Sequence, residues 1–232
     1  MRKTKSLYLH EEVLLLALRD REGTIASGSM FMYAMGGAVL SELLLHERVA
    51  VDETSKKKLM NVIDSSAIGD PNLDDCLNRV ATAKRRTTMQ GWVARFAGTK
   101  GLKERVAKGL CRRGILKADE GTVLLFFKRK IYPEINPAPE RAMIKRLRRA
   151  IFTDTSDIDA RTLVLVSLAN SSGLLNMVFE KRDLKNRKAR LKKLATEQPA
   201  GKATAQVIAA VQAAVQAAVM MMIVTTTVIH SR

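Results

Sequence analysis

Two stretches near the start of the chain, residues 7–18 (LYLHEEVLLLAL) and 37–45 (GAVLSELLL), are apolar all the way round yet carry three glutamates, Glu11, Glu12 and Glu42. A helix that is hydrophobic on every face must be surrounded by protein rather than laid on its surface. Carboxylates inside such a helix need basic or amide partners, because burying them unpaired is costly. The chain therefore folds around these two segments, with Glu42, the lone charge in its apolar half, expected to meet a basic residue inside the fold. Glu11 and Glu12 also stand in the first turn of a helix expected over 9–19, where negative charge favours the helix dipole. They are not expected to be a catalytic pair, since adjacent helical positions diverge by about 100°.

The rest of the chain supplies cations in excess. The 232 residues hold 40 Lys plus Arg against 23 Asp plus Glu, a formal net charge of +17. The excess sits in the second half: residues 100–149 hold 15 basic against 5 acidic side chains, and 180–193 hold 8 against 2. Such a balance points to a polyanionic partner, either an anionic membrane face or nucleic acid. Few aromatics (4%) and no nucleic-acid-reading motif make nucleic acid the weaker of the two.

Helix signals dominate the pattern. A second buried helix is expected over 30–45, with Gly36-Gly37 allowing close packing or a local break, and two short strands around Lys56-Lys57-Lys58. A helix then starts at Asp70-Pro71-Asn72, with Asn72 as N-cap and Leu73, Leu77 and Val80 inward. Trp92, Val93 and Phe96 mark a short helix whose Trp belongs to the core. Residues 103–113 form an amphipathic helix, Val106 and Leu110 inward and most of its basic residues outward. Residues 121–132 read as a β-hairpin with Lys128-Arg129-Lys130 at its turn. Beyond the prolines at 133, 137 and 139 follow helices over 140–152, 160–179 and 181–194. Residues 203–229 carry no charge and leave two readings open: a terminal helix buried through Val207, Val211, Val215 and Val219, or a tail anchor.

Motifs for catalysis are missing. His10, His46 and His230 have no metal-ligand spacing, and there is no phosphate-binding glycine loop or nucleophile elbow. Cys76 and Cys111 make neither a disulfide framework nor a metal site, which fits a reducing, cytoplasmic setting. The basic start, residues 1–6, is not followed by the apolar run of a secretory signal. The expectation is a non-enzymatic protein without cofactor, with residues 7–232 as one domain.

An ordered set of segments, Glu11–Leu18, Arg19–Gly23, Leu73–Leu77, Lys103–Lys108, Gly114–Leu116, Val123–Phe126, Ile144–Leu147 and Arg161–Ala169, resembles the Golgi phosphoprotein 3 family. That resemblance implies a mainly α fold, a core of apolar helices ringed by amphipathic ones, with a projecting β-hairpin. It also implies a peripheral adaptor on the cytosolic face of the Golgi that binds phosphatidylinositol 4-phosphate and the cytosolic tails of glycosyltransferases. Two basic residues of the family's headgroup pocket fall on Lys100 and Lys103. A Trp and an Arg of that pocket have no counterpart: 23–30 contains no Trp, and the Arg position falls at about Gly36. The hairpin residues Leu125, Phe126, Phe127, Lys128, Arg129 and Lys130 are the implied membrane contact, and the hairpin the implied route to a homo-oligomer.

Overall fold

The computed structural model describes residues 6–19, 24–25, 28–123, 127–196 and 213–223. Its helices are α1 (Leu9–Leu16), α2 (Ser29–Leu45), α3 (Pro71–Ala81), α4 (Met89–Ala97), α5 (Leu102–Arg112), α6 (Ala138–Phe152), α7 (Ala160–Ser171), α8 (Leu175–Val178), α9 (Lys181–Asn186) and α10 (Lys188–Leu194), followed by a helical segment at 213–223. Three antiparallel pairs complete the described residues: β1 (Leu18–Arg19) with β2 (Thr24–Ile25), β3 (Val49–Val51) with β4 (Met60–Val62), and β5 (Asp119–Val123) with β6 (Phe127–Ile131). The protein is mainly α with a β-hairpin.

Every residue of α1 is buried, and α1 packs against α2, α5, α6, α7 and α8. Each of its fully buried leucines is worth roughly 1.5–3 kcal/mol relative to exposure. Its glutamates are met from three directions. The Glu42 carboxylate on α2 accepts the Leu9 amide at 2.6 Å and the two terminal nitrogens of Arg161 at 2.7 and 2.5 Å. Glu11 accepts the Tyr8 amide at 2.9 Å and is paired with Arg113, which follows α5. Glu12 takes Arg146 of α6 at 2.7 Å. The orphan amides at the start of α1 are thus capped by carboxylates, and charge ties α5 and α6 to α1 and α7 to α2.

Gly36 and Gly37 face different partners. A Cβ at Gly36 would lie 2.5 Å from the Val93 carbonyl oxygen, and one at Gly37 would lie 2.8 Å from Ala218 Cβ and 3.0 Å from Leu168 Cδ2. Backbone contact with α4 on one side and side chains of α7 and 213–223 on the other leave no room for larger residues. Ala214, Val215, Ala217, Ala218 and Met222 are buried accordingly. Among the described residues no helix is long and apolar enough to cross a membrane, and 213–223 gives its apolar face to the core.

Several boundaries depart from expectation. α1 ends at Leu16 and Leu18 enters β1. Asp70, not Asn72, caps α3: its Oδ1 accepts the Asn72 and Leu73 amides at 3.0 and 2.9 Å, and Pro71 occupies the first helical position, which needs no N–H donor. The helix expected over 160–179 breaks after Ser171, where Gly173 takes a positive φ of 76° that favours glycine. The helix expected over 181–194 divides at Arg187, whose Nη2 donates to the Phe152 carbonyl at 2.6 Å, while Arg190 Nε donates to that of Ala150 at 3.1 Å. These two arginines satisfy carbonyls at the end of α6.

Candidate anion-binding pocket

The residues placed at the headgroup position by sequence lie at the start of α5. Thr99, Gly101, Leu102, Lys103 and Glu104 form one wall of a pocket of about 240 Å³; Gly28, Phe31 and Met32, at the start of α2, form the other. Glycines set both helix starts. Gly28 precedes α2 with φ 136°, and Gly101 precedes α5 in the left-handed conformation with φ 71°. Neither start has a side-chain cap, so two positive helix ends border one cavity. Arg113 at the far end of α5, tied to Glu11, holds that helix against α1 and so fixes the direction of its start.

Lys103 lines the pocket with its side chain one-quarter exposed, and its Nζ stands 3.7 Å from Glu104 Oε1. Lys100 is exposed on the preceding turn and lies outside the lining, while its carbonyl accepts Arg105 Nη1 at 2.9 Å. Among the described residues the cavity therefore offers the Lys103 ammonium, two helix ends and an apolar floor of Phe31, Met32 and Leu102. A lysine supplies attraction without the bidentate geometry of a guanidinium. Gly36, where the pocket arginine of the family would fall, lies against the α4 backbone instead. The single tryptophan, Trp92, is in the core beside Phe96 at 5.5 Å, with Arg95 over its ring.

The hairpin differs from its expected form. Residues 119–123 pair directly with 127–131, from Asp119 opposite Ile131 to Val123 opposite Phe127. Lys128, Arg129 and Lys130 are consequently strand residues of β6, not the turn. Lys130 is exposed; Leu125 and Phe126 fall outside the described residues. Phe31, Met32 and Thr99 were not singled out in the sequence, although a glycine just before each helix start was the available signal.

Similarity to known proteins agrees with this architecture. Over 215 residues the chain is 25% identical to vacuolar protein sorting-associated protein 74 of Eremothecium gossypii, covering 77% of this chain and 64% of that relative. It thus spans less than two thirds of the relative's length. Residues 9–211 match the family profile of Golgi phosphoprotein 3 (GPP34), which takes in α1 through α10 and so nearly the whole described fold. With most of its length matched, the chain belongs to the Golgi phosphoprotein 3 family.

Proposed function

We propose that this protein is a peripheral adaptor that docks on an anionic membrane surface, Golgi-associated as its family name and its sorting-protein relative suggest. In this reading a lipid phosphate sits at the start of α5, held by Lys103 and the two helix ends, with Lys100 at the rim. Strand β6, through Lys128, Arg129 and Lys130, adds long-range attraction, and Leu125, Phe126 and Phe127 supply apolar contact. The cargo is the cytosolic tails of membrane enzymes such as glycosyltransferases, retained by the adaptor, and the hairpin is its route to self-association. The observation that carries the proposal is the convergence of two uncapped helix starts and Lys103 on one cavity.

The pocket's chemistry also favours breadth over selectivity. With no guanidinium among the described residues of its lining, and with Glu104 beside Lys103, it attracts a phosphate as a point charge and gives a multiply charged phosphatidylinositol 4-phosphate little advantage over phosphatidylserine. Co-sedimentation with neutral, phosphatidylserine and phosphatidylinositol 4-phosphate vesicles, the anionic sets matched in total charge, tests both parts. Binding to both anionic sets but not the neutral one, weakened in a K100Q/K103Q double variant, is the expected result. Binding to none of them overturns the membrane reading and moves the +17 charge toward a nucleic-acid partner, checked by gel shift.

A further inference from the structure

A second polar cleft, of about 530 Å³, opens between the C-terminal half of α6 and the turn from α8 to α9. It is distinct from the α2–α5 pocket and shares no residue with it. Its lining includes Arg148, Asn176, Glu180, Lys181, Arg182 and Asp183. The arginines around it are engaged in the fold: Arg146 on Glu12, Arg149 on Asp157, Arg187 on the Phe152 carbonyl and Arg190 on the Ala150 carbonyl. Arg148 differs. Its guanidinium lies 5.2 Å from the centre of the Phe179 ring and 5.6 Å from that of Phe152, and these two rings meet edge to face at 5.3 Å. Among the described residues it has no carboxylate or carbonyl partner.

Ring contact holds a guanidinium in place without using its N–H donors. Arg148 is therefore positioned in advance, exposed, and presents a planar donor fork to the cleft. Lys181 and Arg182, both exposed, bring two more cations to the same space. Three cations facing one cavity suit an oxyanion with charge near −2. The two carboxylates there, Glu180 and Asp183, are acceptors only and would repel a bare anion; they call for hydroxyl donors on the same ligand. Asn176 already donates its Nδ2 to the Gly173 carbonyl at 3.1 Å, which leaves its Oδ1 as a further acceptor.

We propose that the α6–α9 cleft binds a phosphate monoester carried on a polyol, the phosphate on Arg148 with Lys181 and Arg182, the hydroxyls on Glu180, Asp183 and Asn176. The phosphate belongs either to a soluble sugar or inositol phosphate or to a lipid headgroup. Neither Lys100 nor Lys103 takes part, so the site stands or falls apart from the membrane pocket.

The test is a titration of the full chain with glucose 6-phosphate and with inositol 1-phosphate, followed by calorimetry and by the Arg148 Nε–Hε and Phe179 ring resonances. Glucose and inositol serve as uncharged controls. Saturable binding of at least one phosphate ester, with shifts at Arg148 and Phe179 and none from the controls, is expected. R148Q and R148K should each weaken it by about tenfold or more, because lysine keeps the charge but not the fork, and K103Q should leave the shifts at Arg148 and Phe179 unchanged. Absence of saturable binding, shifts confined to other residues, full retention in R148K or equal loss in K103Q overturns the proposal. The resonance shifts are read on the unaltered protein, so a variant that failed to fold would not shield the idea. Vesicles carrying phosphatidylinositol 4-phosphate then assign the source: weaker sedimentation of R148Q marks the lipid headgroup, and unchanged sedimentation marks the soluble ester.

Discussion

The α1–α2 core and the outer cationic surface use the same residue types to opposite ends. Beneath α1, Arg113, Arg146 and Arg161 are each drawn onto a buried glutamate and bind whole helices together. At the start of α5 and in the α6–α9 cleft, Lys100, Lys181 and Arg182 are exposed, and Arg148 rests on aromatic rings with its donors turned outward. The cations beneath α1 are consumed by structure, whereas those at these two surface sites are left for a ligand. The total of +17 says nothing of this division. It depends on whether a carboxylate is buried within reach, since a desolvated pair with hydrogen bonds couples far more strongly than a solvated one.

Breaking the inner set should produce the largest effects. Glu42→Ala removes the acceptor of both the Leu9 amide and Arg161, and we expect a loss of about 3 kcal/mol or more, the usual cost of opening a buried ion pair. Chemical denaturation measures it. A loss under about 1 kcal/mol would mean that the pair is not integral to the core. Gly36→Ala comes next. Helix propensity alone would favour alanine by roughly 1 kcal/mol, but the new methyl meets the Val93 carbonyl oxygen, which belongs to backbone and has little freedom to move. A net loss of about 2 kcal/mol is expected, and a stabilised variant would show that α2 and α4 are less closely packed than described.

The inner set also divides within itself. For Glu42 burial pushes the carboxyl upward, yet the neighbouring His46 ring, its Nε2 3.5 Å from Oε2, the Arg161 guanidinium and the Leu9 amide together hold it below its ordinary value of 4.5. For Glu12 burial outweighs Arg146 and leaves the carboxyl raised above 4.5. The linkage signs are therefore opposite. Glu42 contributes stability that is present above about pH 4.5, its unfolded value, and is lost as pH falls through the lower folded one. Glu12 favours the folded state most when protonated, and that advantage fades as pH rises from 4.5 through its raised value. Glu12→Gln should consequently cost less stability at neutral pH than Glu42→Ala and remove a fall in stability between mildly acidic and neutral conditions. A thermal-melting series against pH reads this directly, and an unchanged profile in the variant would count against the opposed signs.

How much of this was legible in the sequence follows the same line. The buried helices, the need to pair Glu42 and the close packing at Gly36 and Gly37 could all be read from it, because local apolar density and side-chain size determine them. Partner identity could not: Arg161 is 119 positions from Glu42, and Arg146 is 134 from Glu12. Helix breaks at Gly173 and Arg187 were also missed. At Gly173 a left-handed backbone conformation follows the polar Asn170-Ser171-Ser172 within an otherwise apolar stretch, and at Arg187 the break coincides with a hydrogen bond to the end of a different helix. In the pocket, Lys103 was found through family resemblance, whereas Phe31 and Met32 are ordinary apolar residues until two helix starts bring them together.

The smallest effect on stability belongs to the outer set, and it should coincide with a large effect on binding. Lys100 is exposed and, among the described residues, Lys103 is held by Glu104 at 3.7 Å across a part-exposed surface, so K100Q/K103Q should melt within about 0.5 kcal/mol of the parent. On anionic vesicles each lost charge removes about 1 kcal/mol of attraction, enough for the pair to weaken association by more than tenfold. Raising the salt concentration should narrow the gap between parent and variant, because charges at a solvated surface are screened over about 8 Å at physiological ionic strength. The Glu42→Ala change should show the reverse pairing, with stability lost and the salt slope of vesicle binding preserved in whatever fraction stays folded. If instead K100Q/K103Q destabilised the protein as much as it weakened binding, the two lysines would belong with Arg113, Arg146 and Arg161 as structural cations, and the division between inner and outer charge would fail at the start of α5.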